Sequence, residues 1–496
     1  MSRKRKFWVV IVSVVALLVL IPFGLRWRAQ WNLNAYRKKL IASGEKLTVD
    51  ELAPKRIPNA TNTVLFLKLA SALPSFSDFS PTVMMPIKPG VGRVSWNQSQ
   101  CLEGIDDKKP RVDVLPIMIA AVRTNQVTLS NLQTVVDAGG IEFVEDYAQP
   151  ELNEYTFLPQ GKQSVVAFNT SAILALHQGR MQDAIEYLKS SGTVSQLLAK
   201  DPLMIDQLVR EACMAVMAGG FWEALQAAGW TDQQLAQLQL QWEGQSVLSA
   251  AELSLDMERA REPMLFQIAL TSPQDKPDIW NDLLVNTRTG VSELFRAYPR
   301  YWGWRWIWSF QEEQRYLEFM QTMIEATRDA RNRRSVLALL KDQNTDDDMP
   351  LVPNAAAIDL LGSTVSVTES FVAQALRAQT VANIVATAIA LERFRLAHHA
   401  YPAALANLTP EFLKAVPADY MDGHDLRYRL DPDGTYLLYS VGDDGIDNGG
   451  DARLKEGSSS SFWYYGRDLV WPRAATDEEV QVYEAEQNKP KARGKR

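Results

Sequence analysis

The sequence predicts a mainly α-helical protein in three parts: an N-terminal transmembrane helix, an α-helical middle domain, and a small α+β module with a long helix on an antiparallel sheet. Three observations predict it. Residues Phe7 to Leu25 carry no charge, apolar residues recur at helical spacing through the middle of the chain, and the last hundred or so residues turn to short strand-like runs. With 496 residues, 46% hydrophobic and 22% charged, the chain has the balance of a folded body with two or three units.

The run FWVVIVSVVALLVLIPFGL is 19 residues long, enough at about 1.5 Å per residue to cross a hydrocarbon layer of about 30 Å. Trp8 and Trp27 flank it where amphipathic rings favour the headgroup layer. A cleavable signal peptide would have a shorter apolar region and a small-residue cleavage site, which is not seen before Arg26. Basic residues are nearly balanced: Arg3 to Lys6 precede the run, and Arg26, Arg28, Arg37, Lys38 and Lys39 follow it. A short basic N-terminus stays inside and long downstream domains translocate whatever their charge. The expectation is therefore a single-pass protein with a cytoplasmic N-terminus and an extracytoplasmic body, on the periplasmic side if the cell has two membranes.

The segments expected are a basic N-terminus at 1–6, the anchor at 7–25, and a juxtamembrane helix with a mixed, loop-rich region at 26–161. They continue with an α-helical domain at 162–342, a linker at 343–362, the α+β module at 363–475 and a charged tail at 476–496. No regular strand series is evident between 53 and 161. AFNTSAILALHQGRMQDAIEYLKS reads as a helical hairpin broken at Gly179, and Thr231 with Gln234 forms a capping-box pattern. In AYPRYWGWRWIWSF, Tyr298, Tyr301, Trp302, Trp304, Trp306, Trp308 and Phe310 are crowded. Buried, they are core packing; exposed, they suit sugar rings or a membrane interface.

Toward the C-terminus a helix is expected after Gly362, with Ser363 and Thr364 as caps, running to about His399 and closed by Pro402, then a short helix from Leu405 to Val416 and two strands, LRYRL and TYLLYSV, around the turn DPDG. The strings ALERFRLAHHAYP, LKAVPADYMDGHDLRYRL, TYLLYSVGDDGIDNGG and RDLVW resemble the C-terminal half of the type II secretion major pseudopilins. The resemblance covers about a hundred residues. It implies a helix on a small sheet and a calcium-binding loop after the last strand, with Asp444 and Asp468 at matching acidic positions. That family begins with a processed, phenylalanine-led hydrophobic helix bearing a glutamate, and the run 7–25 departs from it in having neither the preceding cleavage glycine nor that acid. Independently, Asp443, Asp444, Asp447, Asn448 and Asp451 stand close together among glycines, an oxygen-rich set suited to a hard cation. Asp444, Asp447, Asp451 and Asp468 are the candidate calcium ligands, and the alternative is an exposed Asp/Gly turn.

Composition narrows the function. A net charge of −7 and a pI near 5.4 argue against nucleic acid as a partner. The four histidines form no metal-ligand spacing, and no phosphate-binding or nucleophile-elbow motif occurs in a strand-to-helix context. Of the two cysteines, Cys101 and Cys213, the latter reads as a core thiol. The leading expectation is a non-enzymatic binding or scaffold protein with a protein or polysaccharide partner in the envelope. Its rivals are a secretion-system component and an envelope polysaccharide hydrolase using paired carboxylates, for which Glu142, Glu145, Glu151 and Glu154 are the most crowded acids.

Overall fold

Residues 3–42 contain no Asp or Glu and are dense in helix formers up to Ser43 and Gly44, and they form one continuous helix, α1 (Arg3–Ala42). Gly44 ends it with φ of +90°, a conformation that costs glycine little and returns the chain so that the Glu45 amide reaches the Leu40 carbonyl. The expected span and juxtamembrane helix are thus a single rod. The computed structural model describes residues 3–55, 60–76, 85–94, 102–103, 112–113, 115–143, 145, 147, 157–270, 304–337, 360–454 and 465–487. Among the described residues no helix is long and apolar enough to cross a membrane; the side chains of 9–19, inside the apolar run, are outside that set.

The chain continues through α2 (Val49–Leu52), α3 (Thr63–Ser71), β1 (Met85–Lys88), β2 (Val91–Arg93), β3 (Leu102–Glu103) and β4 (Val112–Asp113). The helices α4 (Leu115–Thr124), α5 (Gln126–Ala138), α6 (Phe157–His177), α7 (Met181–Leu198), α8 (Met204–Leu225), α9 (Asp232–Glu243) and α10 (Val247–Leu270) follow. A π-helical turn at Trp304–Trp308 leads into α11 (Ser309–Arg331), and α12 (Leu360–His398) is the second long helix. β5 (Arg427–Leu430), β6 (Tyr436–Ser440), β7 (Leu469–Val470), β8 (Arg473–Ala474) and α13 (Asp477–Gln487) complete the described elements. The protein is mainly helical with a small antiparallel sheet, as the sequence predicts.

Local signals account for much of this. Gly179, at φ +70°, separates α6 from α7 where the hairpin was expected. The Thr231 hydroxyl accepts from the Gln234 amide while the Gln234 side chain accepts from the Thr231 amide, so both start-of-helix donors are used. The face of α12 bearing Val381, Ile384, Val385, Ala388 and Leu391 is buried, and β5, β6 and β7 pair antiparallel in that order.

Two expectations change. Residues 85–93 form a β-hairpin inside the region read as lacking strands, and β2 takes β8 as a parallel partner through Val91 to Arg473 and Gly92 to Ala474. Local periodicity carries no sign of so distant a pairing. The charged segment at 476–496 includes the helix α13, held to the hairpin by Lys88 to Glu479 at 2.6 Å and Arg93 to Glu484 at 3.2 Å. The helix expected from Leu405 to Val416 is only a 3-10 turn at Leu405–Leu408. One buried apolar cluster runs from Phe66 in α3 to Trp471 beside β7.

Trp222 of α8 knits the ends of the body together. It is fully buried, and its indole Nε1 donates to the Pro472 carbonyl at 2.7 Å. A Cβ at Gly92 would stand 2.9 Å from the Trp222 ring, so Gly92 is the residue that lets β2 lie against that indole. Gly92→Ala is expected to lower stability by about 1 to 3 kcal/mol through this overlap, read as a reduced midpoint in denaturant unfolding. An unchanged midpoint would mean that the hairpin does not rest on Trp222.

Candidate functional site

The acidic loop after β6 is assembled by its own amides and by arginines. Asp468 is buried; its Oδ2 accepts from the amides of Gly450 at 2.7 Å and Asp451 at 2.9 Å, and its Oδ1 from the Asn448 amide at 3.3 Å. Asp447 accepts from the Tyr439 hydroxyl at 3.0 Å and the Gly449 amide at 2.9 Å. Asp444 accepts from the Ile446 amide at 3.0 Å. Asp451 pairs with Arg453 at 2.7 Å and Arg467 at 3.5 Å, and the Arg453 contact holds its carboxyl down at about 2. Neighbouring Asp443 is gripped by Arg377 of α12 at 3.0 and 2.8 Å. Asp468, just before β7, thus acts as the hub for the backbone donors of the stretch 448–451, while Asp444 and Asp447 each close turns of their own. Among the described residues no group of three or more His, Cys, Asp or Glu is disposed to hold a metal ion.

A second polar hub underlies the same sheet. Asp419 is buried and accepts from the Met421 and Val441 amides at 3.0 Å each, the Ser440 hydroxyl at 2.8 Å and Arg427 at 3.0 Å. Arg427 also pairs with Asp422. The loops around β5 and β6 are thus cross-linked by charge-assisted bonds.

The acids expected to pair for hydrolysis are divided. Glu151 and Glu154 lie outside the described residues. Glu142 serves through its backbone, whose amide and carbonyl both bond the Thr63 hydroxyl at 2.9 Å. Glu145 instead joins two aspartates that the sequence reading passed over, Asp201 and Asp206. Both are buried. Asp201 accepts from the Tyr147 hydroxyl at 3.1 Å and the Leu203 amide at 3.3 Å, while among the described residues neither Asp206 side-chain oxygen has a geometrically formed hydrogen bond. Burial, then repulsion from Asp201, raises Glu145 to about 7. Burial, then Asp201 and Glu145, raises Asp206 strongly, so this group keeps a proton where a free carboxyl would lose it. The signal available in the sequence was two acids, Asp201 and Asp206, bracketing the apolar run PLMI in DPLMIDQLV.

A cavity of about 190 Å³ lies between α8 and α12, lined by Leu208, Glu211, Met214, Arg377, Val381 and Tyr465. Burial raises the Glu211 carboxyl to about 8, and the Arg377 guanidinium sits 4.9 Å from the Tyr465 ring centre. Cys213 on the same helix is a buried free thiol raised by burial to about 12, the inert core cysteine that was expected; Cys101 is outside the described residues.

The aromatic segment meets α1. Tyr298, Tyr301 and Trp302 lie outside the described residues. Trp308 packs on the core, whereas Trp306 is 49% exposed. Arg26 of α1 donates to the Arg305 carbonyl and stacks its guanidinium over Trp306 and Phe310 at 5.5 and 4.5 Å. Phe23 lies 6.5 Å from Trp306, centre to centre. Farther along, Ala29, Leu33 and Leu40 are buried, and Arg37 pairs with Glu313. Beyond α1, Glu45 accepts from Arg328 of α11 at 2.5 and 3.1 Å and from the buried Arg259 of α10 at 3.0 Å.

No protein family, curated protein or solved structure matches the chain.

Two measurements test these sites. Because protein donors already serve Asp468 and Asp451, chelation with EDTA is expected to leave the thermal midpoint unchanged, whereas Asp468→Ala lowers stability by about 3 kcal/mol by stranding buried amides. A drop on chelation, restored by calcium, would place an ion in the loop. For Asp206 the raised folded-state value means that its stabilisation is complete below the ordinary carboxylate range and is lost as pH rises through the raised one. Stability should therefore fall between about pH 5 and 8, and Asp206→Asn should flatten that slope by up to about 1.4 kcal/mol per pH unit. Parallel pH profiles for the two proteins would show that Asp206 does not retain its proton on folding.

Proposed function

We propose that this chain is a membrane-anchored binding or scaffold protein of the cell envelope, whose N-terminal helix holds the body at a fixed attitude to the bilayer. The observation that carries the reading is the continuity of α1. One end is an apolar run whose described side chains are bare, with Phe7, Trp8, Leu20, Ile21 and Phe23 all more than half exposed. The other end is docked in the body by Leu33, Leu40 and Arg37. Water does not tolerate that apolar end without a partner, and a lipid interior satisfies both its surface and its length.

The docked half distinguishes this arrangement from a flexible leash. A helix fixed at both ends of its course transmits orientation as well as proximity, which suits a protein presenting one face to a partner in the envelope. The cytoplasmic N-terminus and extracytoplasmic body follow from the short basic leader. The charged groups of the C-terminal module are largely committed to its own loops, which supports a structural or recognition role for it.

The full chain is expected to stay with membranes through alkaline carbonate extraction, and deletion of residues 7–25 to release the body in folded form. Alkaline phosphatase fused after residue 487 should be active if the body lies outside the cytoplasm. A full chain extracted at alkaline pH would overturn the anchor, and an inactive fusion on a membrane-retained protein would reverse its direction.

A further inference from the structure

We infer that the turn Trp304–Trp308 and the adjoining stretch of α1 form a seat for the phospholipid headgroup layer, so that the body rests on the membrane that its helix enters. The inference rests on the anchor reading and goes beyond it, because an anchor alone requires no contact between body and lipid. Phe23, Trp27 and Trp31 stand at i, i+4 and i+8, one stripe along α1, and are 60%, 74% and 66% exposed. Eight residues of helix rise about 12 Å, a depth comparable to the polar zone of a bilayer leaflet. The body-facing side of the same helix is apolar and covered, through Ala29 and Leu33. A bare aromatic stripe opposite a packed one, starting where the uncharged run ends, is therefore placed for lipid.

Trp306 extends this surface from a different part of the chain. It is half exposed, lies beside Phe23, and is held there by Arg26, which binds the Arg305 carbonyl and stacks on the Trp306 and Phe310 rings. The body thus presents an indole at the level where α1 would leave the hydrocarbon. Exposed Arg28 stands in the same turn as Trp27, giving a cation for lipid phosphate beside rings that combine an apolar body with a polar N–H. Charge and aromatic character both match the headgroup boundary.

The test uses the full chain in phosphatidylcholine vesicles. The emission of Trp306 is taken as the difference between the native protein and Trp306→Phe, and that of Trp27 likewise from Trp27→Phe. Both differences are expected to be lost with lipids brominated high on the acyl chain and to resist aqueous iodide. Iodide quenching without bromolipid quenching, in protein that still withstands alkaline extraction, would overturn the seat and leave the anchor standing. Resistance to both quenchers would mean that a second copy or another protein covers the rings, which also overturns it. Protein released by alkaline extraction would instead remove the anchor reading itself.

Discussion

Glu45 is the group on which the relation between helix and body depends. It follows the last turn of α1 and receives two arginines, Arg328 from α11 and Arg259 from α10. The Arg328 contact is the main cause that draws its carboxyl down to about 2. Arg328 also reaches Glu252, and Arg259 also meets Asp256, so neither guanidinium is left with a single counter-charge. A buried arginine is tolerated only when matched in this way. With the far end of α1 held by two helices, α10 and α11, the direction of the whole 40-residue rod is set by packing rather than by chance.

The C-terminal module obeys the same economy of charge. Asp468 and Asp419 each gather amides from the turns around the sheet, and Arg377 ties Asp443 to α12. These bonds act where the backbone curls through positive φ and cannot supply its own partners. Gly442, at φ +70°, would place a side chain 2.5 Å from the Arg467 carbonyl, so the loop and the strand leading to β7 approach as closely as glycine permits. An acid-rich loop can thus be rigid because its acids are already spoken for by N–H groups.

What could be read in advance was local. Gly179, the Thr231 cap and the alternating runs around DPDG each act within a few residues, and each appears in the structure as expected. The course of α1 runs unbroken through Pro22 and Gly24, residues that local rules place at helix ends. Asp206 sits on α8 beside Gln207 with no local sign of its role; only the placement of Asp201 and Glu145 by other segments makes its environment unusual. Asp468 was noticed as an acid of the loop, but its partners depend on a turn closing some twenty residues before it. Charge hubs are set by the meeting of distant segments, which periodicity does not encode.

The pairing of β2 with β8 bears on how the chain reaches its native state. Val91 and Arg473 are separated by roughly 380 residues, and closing a loop of that length exacts an entropy that grows only slowly with size. The sheet therefore tolerates the distance thermodynamically, yet kinetically it must wait. A chain made from its N-terminus has its first long helix and hairpin long before the strand that completes them, so the outer edge of β2 is unpaired and open to wrong partners until the last segment arrives.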